Sequence, residues 1–178
     1  MRLSKLNDEV LVADGSVVQL AAGEMDELKE ASRHNARRRI RICAHKGTND
    51  RLHEMFIVHS KGTYVRPHKH PGKSESLYVI EGAAEVVFFN EGGAVWQAIS
   101  LGDYPSSKVF YYRIDEPWFH TLIISSDVFV FHEVTNGPFD RDQTIFAPWA
   151  PTESDIGGQN SFIENLSAQI RERRQVTN

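Results

Sequence analysis

Apolar and polar residues alternate in short runs over the central part of the chain, which is typical of β-strands. β-branched and aromatic residues dominate these runs, and turn-forming pairs such as Lys61-Gly62 and Pro71-Gly72 separate them. The predicted strands cover residues 39–45, 54–60, 64–70, 76–81, 84–90, 95–101, 108–114, 119–125 and 128–134. Because no long helical pattern lies between them, a parallel βαβ sheet is disfavoured. The pattern predicts an all-β sandwich or barrel.

Helical spacing occurs only on either side of this β region. Met25, Leu28 and Ala31 share one face of a predicted short helix over about 23–32, and Phe162 to Ile170 carry a second helical pattern. A stretch rich in Pro and Trp, residues 146–151, is expected to pack back onto the barrel or a partner subunit. We therefore expect an N-terminal segment with a short helix (1–38), a β-barrel (39–152), and a C-terminal loop and helix (153–178).

Composition narrows the class of protein further. The chain has 178 residues, 40% of them hydrophobic and 25% charged, as in ordinary globular domains. A net charge of −4 disfavours a nucleic-acid partner, and no apolar run approaches the roughly 18 residues of a membrane span. Acidic residues near the N-terminus argue against a signal peptide, and the single cysteine excludes an intrachain disulfide. These features indicate a cytoplasmic protein with neither nucleic-acid nor membrane partners.

Histidines and one glutamate form the most informative pattern. His68 and His70 lie two residues apart, so on a strand both imidazoles point to the same face. Glu75 follows across a turn, and His120 lies on a later predicted strand. Three imidazoles and a carboxylate that converge inside a barrel make a mixed nitrogen and oxygen site. Such a site suits one divalent transition metal (Zn, Fe, Mn, Ni or Cu), and the ligands alone do not choose among them.

The spacing of these residues resembles the first motif of the cupin superfamily. The segment from Gly62 to Gly82 reads G-x5-H-x-H-x4-E-x6-G without a gap. The second cupin motif matches in part: His120 is in place, whereas Asp115 and Pro117 stand where Pro and Gly are usual. The resemblance implies a double-stranded β-helix, or jelly-roll barrel, with short flanking helices. It also implies that His68, His70, Glu75 and His120 are the metal ligands.

A closer resemblance, over residues 20–152, is to the WbuC family of cupin-fold metalloproteins. It rests on the arginine-rich segment 36–39, the block GTYVRPHKHPGKSE, the strand end Phe131-His132-Glu133-Val134 and the stretch from Gly137 to Pro151. Members of that family occur among genes for surface polysaccharide assembly. The resemblance implies a saccharide context, and by analogy with small cupins a homodimer, without naming a substrate.

Three further residues are candidates for catalysis. Tyr64 and Arg66 share the strand parity of His68 and His70, so both are expected to point inward. A buried Arg66 needs an anion, which is either an internal acid such as Glu133 or a carboxylate or phosphate of a substrate. Glu133 is either a general base, a group that orients a histidine, or a charged strand end that only packs.

Two other groups of residues have open roles. The basic cluster Arg37, Arg38 and Arg39 is either a solvated face or an anion-binding rim. Trp118 and Trp149 either form a stacking platform for a sugar ring or pack in the core or at a dimer contact.

The predicted function follows from the metal and the saccharide context. The leading hypothesis is a metal-dependent isomerase or epimerase acting on a carbohydrate or sugar nucleotide in surface polysaccharide biosynthesis. One alternative is an Fe(II)-dependent, oxygenase-type cupin. The other is a non-catalytic module in which a metal or ligand is only bound.

Overall fold

The computed structural model describes residues 2–177, with side chains as far as Gln175 in the last helix. Twelve strands form two sheets, so the expected all-β jelly roll is confirmed, as two facing sheets. The first sheet has seven strands in the order β1-β2-β3-β4-β11-β6-β9. In chain order these are β1 (Arg2–Asn7), β2 (Val10–Asp14), β3 (Arg39–Cys43), β4 (Leu52–Ser60), β6 (Glu75–Glu81), β9 (Tyr111–Ile114) and β11 (Val128–Asn136).

The second sheet has five strands in the order β12-β5-β10-β7-β8. In chain order these are β5 (His68–Lys69), β7 (Ala83–Phe89), β8 (Val95–Gly102), β10 (Phe119–Ile124) and β12 (Ile145–Phe146). The inward-facing residues of both sheets form one apolar core, which includes Leu77, Val86, Leu122 and Phe131. Alternation along each strand therefore produces one buried face per sheet, as the sequence pattern predicts.

Two helices cover the outer faces of the sheets. Helix α1 (Ala22–His34) buries Leu28 against Ile40, Ile42 and Val58, outside the first sheet. Helix α2 (Ile156–Thr177) buries Leu166 and Ile170 against the outside of the second sheet. Both predicted helices are confirmed, and both are longer than the predicted spans. Neither helix within the described residues is long and apolar enough to cross a membrane.

The largest differences from the predicted strands lie just before β5 and at the N-terminus; in addition, β9 begins three residues later than predicted and β12 was not predicted. Residues 63–67 are not a strand, so only His68 and Lys69 of the predicted run 64–70 pair in a sheet. The hairpin of β1 and β2 extends the first sheet, although the N-terminal segment was expected to hold only a helix. Residues of β1 are mostly exposed, so this edge strand lacks the apolar alternation that reveals the others.

Candidate metal centre

Two neighbouring strands and a facing strand bring the predicted ligands together. His68 on β5 lies directly opposite His120 on β10, and the nitrogen ligand atoms of His68, His70 and His120 all lie within 4.8 Å of one another. Glu75, the first residue of β6, enters from the other sheet. Its two carboxylate oxygens lie 3.7 Å from Nε2 of His70 and 3.6 Å from Nε2 of His120. The four side chains thus converge between the sheets.

Backbone carbonyls fix the orientation of the three rings. Nδ1 of His68 lies 2.8 Å from the carbonyl of Arg66, and Nδ1 of His120 lies 3.0 Å from the carbonyl of Trp118. Nδ1 of His70 faces the carbonyl of Gln143 at 3.3 Å. Nδ1 of His70 also lies 3.3 Å from the hydroxyl of Thr144. A carbonyl only accepts hydrogen bonds, so Nδ1 of His68 and Nδ1 of His120 each carry a proton and Nε2 is left as the ligand atom. This arrangement is typical of histidines that ligate metals, whose other ring nitrogen donates to an acceptor.

The charge states of the cluster also suit a metal. Burial, and then the neighbouring His120 and His70, lower the pKa of His68 to about 3, so that imidazole is neutral. Burial raises the pKa of Glu75, but the proximity and charge of His120, and then the charges of His68 and His70, outweigh burial and lower that pKa to about 2. Burial lowers the pKa of His120, but the neighbouring Glu75 outweighs burial and raises it, so a metal that binds there displaces a proton. The neutral His68 and the ionised Glu75 are already in the forms that bind metal ions.

Distances provide a further test of the fit. Separations of 3.6 and 3.7 Å are too long for hydrogen bonds between the carboxylate and the two imidazoles. Two atoms that each bind one ion at about 2.0–2.2 Å lie at most about 4.4 Å apart, so both separations leave room for an ion. The donor set contains nitrogen and oxygen and no sulfur, which fits Zn, Fe, Mn, Ni or Cu without choosing among them. The residues present therefore fit the metal that the sequence suggests.

Glu133 lies in the same interior, on β11. It shares a strand face with Phe131, which belongs to the core, and pairs in register with Leu77 of β6. Burial, and then the charge of Glu75, raise the pKa of Glu133 well above its usual range, although Arg41 acts in the opposite direction. The carboxyl is therefore poised to hold a proton that an ordinary glutamate would lose.

Tyr64 and Arg66 are oriented differently from the sequence-based expectation. The Tyr64 hydroxyl donates to the carbonyl of Pro151 at 2.8 Å, and its ring packs edge-on against Phe162 of α2. Val65 is the residue of this segment that packs against the core between the sheets. Because residues 63–67 do not form a strand, strand parity does not carry over to them. The structure thus does not bring Tyr64 to the histidine cluster.

Arg66 has no carboxylate partner among the described residues. It donates to the carbonyl of Ala147 at 3.3 Å and lies over the ring of Phe146, 5.0 Å from the ring centroid. Its Nε is buried without a hydrogen-bond partner. Of the two anions considered for Arg66, the internal pairing with Glu133 is not formed.

The arginine cluster is occupied by carboxylates of the chain itself. Arg37 donates a hydrogen bond of 2.6 Å to each carboxylate oxygen of Glu9 and forms an ion pair with Glu153. Arg39 forms ion pairs with the same two acids. Arg38 donates to the carbonyl of Lys61. The cluster therefore joins the N-terminal hairpin to the segment that precedes α2, rather than presenting a row of unpaired cations.

Sequence reasoning missed the aromatic residues beside the cluster. Phe88 pairs in register with His120, and their ring centroids are 6.2 Å apart. Tyr112 is buried on β9, and burial, followed by the charges of Glu75 and Glu133, raises its pKa well above the usual value. Alternation on β7 and β9 could have placed both rings inside, but not next to the histidines.

Comparisons with known proteins agree with this fold. A family model described as a domain of unknown function, DUF6016, matches residues 20–101. No curated protein matches the chain in sequence. An X-ray structure of a protein from Shewanella oneidensis is 7% identical with a TM-score of 0.54, covering 72% of this chain and 85% of that one.

Other solved structures share less of the fold. The capsular polysaccharide assembling protein CapF from Staphylococcus aureus is 20% identical, with a TM-score of 0.46, over 57% of this chain and 29% of its own. Oxalate oxidase is 17% identical, with a TM-score of 0.44, over 58% of this chain and 50% of its own. The chain therefore spans half or less of these two proteins. The two-sheet jelly roll is thus confirmed as a fold, and the assignments to the cupin superfamily and to the WbuC family within it stay predictions.

Proposed function

We propose that this protein is a metal-dependent enzyme that isomerises or epimerises a sugar or sugar nucleotide in cytoplasmic surface polysaccharide biosynthesis. The observation that carries the proposal is the convergence of three carbonyl-anchored imidazoles and one ionised carboxylate between the sheets. His68, His70, Glu75 and His120 would hold the metal. A divalent metal bound there supplies a Lewis acid that polarises a substrate carbonyl. The saccharide context comes from the WbuC resemblance.

Glu133 is the proposed acid–base group. Isomerisation and epimerisation of a sugar both require that a proton leave a carbon next to a carbonyl and that a proton return. A carboxyl with a raised pKa holds and releases a proton near neutral pH more readily than an ordinary glutamate. Glu133 lies in the same interior as Glu75, whose negative charge raises the pKa of Glu133 further. Among the described carboxyl groups, Glu133 is therefore the one best suited to this proton transfer.

Arg66 and Tyr64 take more limited roles in the proposal. The partnerless Nε of Arg66 and its position beside Phe146, whose ring lies 6.2 Å from His68, suit the anchoring of a substrate phosphate or carboxylate. Tyr64 is assigned no proton transfer, because its hydroxyl is bonded to Pro151 and burial raises its pKa to about 12. It positions the segment that leads into α2.

We also propose that the protein is a homodimer. Tyr78, Tyr104 and Phe110 pack on one another and are all exposed in the single chain, which leaves an apolar surface on the outside. Sedimentation equilibrium should give twice the chain mass of 20.2 kDa. A mass of one chain at micromolar concentration would show that this surface is not a dimer contact.

The functional proposal is tested by proton exchange. The metal-loaded protein is incubated in D2O with sugar nucleotides and keto-sugars, and proton NMR follows the loss of signal next to the carbonyl. Exchange with one substrate class, abolished in Glu133→Gln, is the expected result. The proposal is wrong if no compound of the panel binds, exchanges or turns over. Oxygen consumption that occurs with iron and not with zinc would instead identify an oxygen-dependent cupin.

A further inference from the structure

A cleft opens between the free edges of the two sheets, where β8 and β9 face each other. Its volume is about 210 Å³, which is below the roughly 300–1,000 Å³ of pockets for drug-sized molecules. Phe88 and Tyr112 form its inner wall, and Trp96 and Trp118 stand at its mouth. A cleft of this size has room for one ring rather than for an extended ligand.

Its aromatic walls are held in place and remain accessible. The indoles of Trp96 and Trp118 lie 5.2 Å apart at an angle of 50°, yet their exposed fractions are 49% and 39%. Phe88 packs against both Trp96 and Tyr112, with ring centroids 6.0 Å apart in each case. Rings fixed by their neighbours lose little entropy when a ligand stacks on them. The cleft is therefore organised before anything binds.

Polar groups stand beside the indoles. Arg113 and Asp115 form an exposed ion pair at 2.9 Å, and Glu116 and Gln97 complete this part of the lining. A pyranose has both a C–H face that stacks on an electron-rich indole and hydroxyl groups that bond to carboxylates and guanidinium. A purely apolar partner would leave these polar groups without hydrogen-bond partners. The carboxylates of Asp115 and Glu116 would repel the negative charge of a diphosphate.

The cleft lies next to the candidate metal centre, because Phe88 borders both. Phe88 lies opposite His120 in the sheet, with the ring centroids 6.2 Å apart. Trp118 also supplies the carbonyl that holds Nδ1 of His120. The ring of Phe88 and the segment of Trp118 therefore link the cleft to the histidines.

We propose that this aromatic cleft binds a pyranose ring of the substrate, stacked on Trp96 and Trp118 and hydrogen-bonded to Arg113, Asp115 and Glu116. The inference rests on the proposed function, because it assigns a subsite to the same carbohydrate substrate. Of the two alternatives left open for Trp118 and Trp149, a shared stacking platform is not formed. Trp149 instead packs against Phe89 and Phe119, on the outer side of the second sheet.

Calorimetric titration with methyl glycosides of glucose, galactose, fucose and N-acetylglucosamine tests the assignment. The wild type is expected to bind at least one of these glycosides. Trp96→Ala should bind the same glycoside roughly tenfold more weakly, which is a loss of about 1.4 kcal/mol in binding free energy. Trp118→Ala should weaken glycoside binding by a similar factor. It should bind as much metal as the wild type, because the hydrogen bond to His120 comes from the backbone carbonyl of Trp118, which the substitution keeps. Tyr111→Ala removes an aromatic residue outside the cleft lining whose exposed fraction, 48%, is close to the 49% of Trp96, and should bind like the wild type.

A spectroscopic readout guards against misfolded variants. In a Trp149→Phe background the only tryptophans are those of the cleft, so the glycoside should shift their fluorescence. Glycoside binding that is unchanged in both cleft variants would overturn the subsite while leaving a carbohydrate substrate in place. If the wild type binds no glycoside, the subsite and the carbohydrate substrate both fail. Binding of a proline-rich peptide that is lost in Trp96→Ala would assign the cleft to a protein partner instead.

Discussion

Nδ1 of His120 donates a hydrogen bond of 3.0 Å to the backbone carbonyl of Trp118. One short segment therefore carries both a candidate metal ligand and a wall of the aromatic cleft. The bond fixes the tautomer of His120, because only a protonated Nδ1 can donate to a carbonyl. The same bond ties the position of the indole to that of the imidazole. The proposed metal site and the proposed ring subsite thus share one segment of backbone.

The role of Glu133 is tested by the substitution Glu133→Gln. This change removes the acid–base group but keeps the size of the side chain, so turnover should fall by a factor of about 10²–10⁴. The metal content should not change, because Glu133 is not one of the proposed ligands. Elemental analysis and a turnover assay on the same preparation measure both quantities. Glu54→Gln, on the same sheet, alters an exposed carboxylate and is the matched control.

Equal turnover in Glu133→Gln and in the wild type would remove Glu133 from the mechanism. Loss of metal in Glu133→Gln would instead show that the residue supports the ligands. The control variant should match the wild type in both measurements.

Acidification should destabilise the metal-free protein through His59. This buried histidine packs edge-on against Phe131, and burial, followed by the charges of Arg39 and Arg41, lowers its pKa to about 3. The unfolded chain takes up a proton below pH 6.5, whereas the folded chain does not until about pH 3. Stability is therefore complete above pH 6.5 and falls as the pH drops, by up to about 1.4 kcal/mol per pH unit for this group.

Urea unfolding of the metal-free protein between pH 5 and 8 measures this effect. His68 also has a lowered pKa, so it reduces the stability on acidification in the same way. The wild type is therefore compared with His59→Phe, and not with a protein whose stability is independent of pH. The variant keeps an aromatic ring against Phe131 and should lose stability less steeply below pH 6.5. Identical slopes for the two proteins would show that His59 is not the buried neutral group described.

Gly82 occupies a position that no other residue fits. Its φ angle is +87°, and a Cβ atom there would overlap the carbonyl oxygen of Val128. Gly82→Ala should reduce the free energy of unfolding by about 3 kcal/mol or more. Gly72→Ala is the control: φ is +74°, but no atom lies within 4 Å, so only backbone strain of about 1 kcal/mol is expected.

Urea unfolding of the two glycine variants measures both costs. A loss for Gly82→Ala no larger than that for Gly72→Ala would mean that the turn adjusts to relieve the contact with Val128.

The sequence predicts the two sheets and the inward direction of His68 and His120, because both depend on local periodicity. Alternation on β6 and β10 places inward residues correctly, and both predicted helices exist. Residues 63–67 were misassigned because β-branched and aromatic residues suggest a strand there, whereas Tyr64 is drawn outward by Phe162 and Pro151. The outcome depends on α2, which lies about 100 residues later, and no local pattern contains that information.

The acidic partners of the arginine cluster could not be predicted from the sequence for a similar reason. Arg37 finds Glu9 and Glu153, which come from opposite ends of the chain and meet only after folding. The cleft likewise combines Trp96 with Trp118, whereas the sequence suggested Trp118 with Trp149. Contacts between edges of different sheets depend on topology, which strand periodicity does not determine.

The central claim is that His68, His70, Glu75 and His120 hold one metal ion, and elemental analysis tests it most directly. The purified protein should carry close to one divalent transition metal per chain, and His68→Ala/His70→Ala should carry none. The control His34→Ala/His132→Ala removes two histidines outside the cluster and should retain the metal. A wild-type protein that stays metal-free after incubation with Zn, Fe, Mn and Ni, or a cluster variant that binds as much metal as the control, would contradict the account.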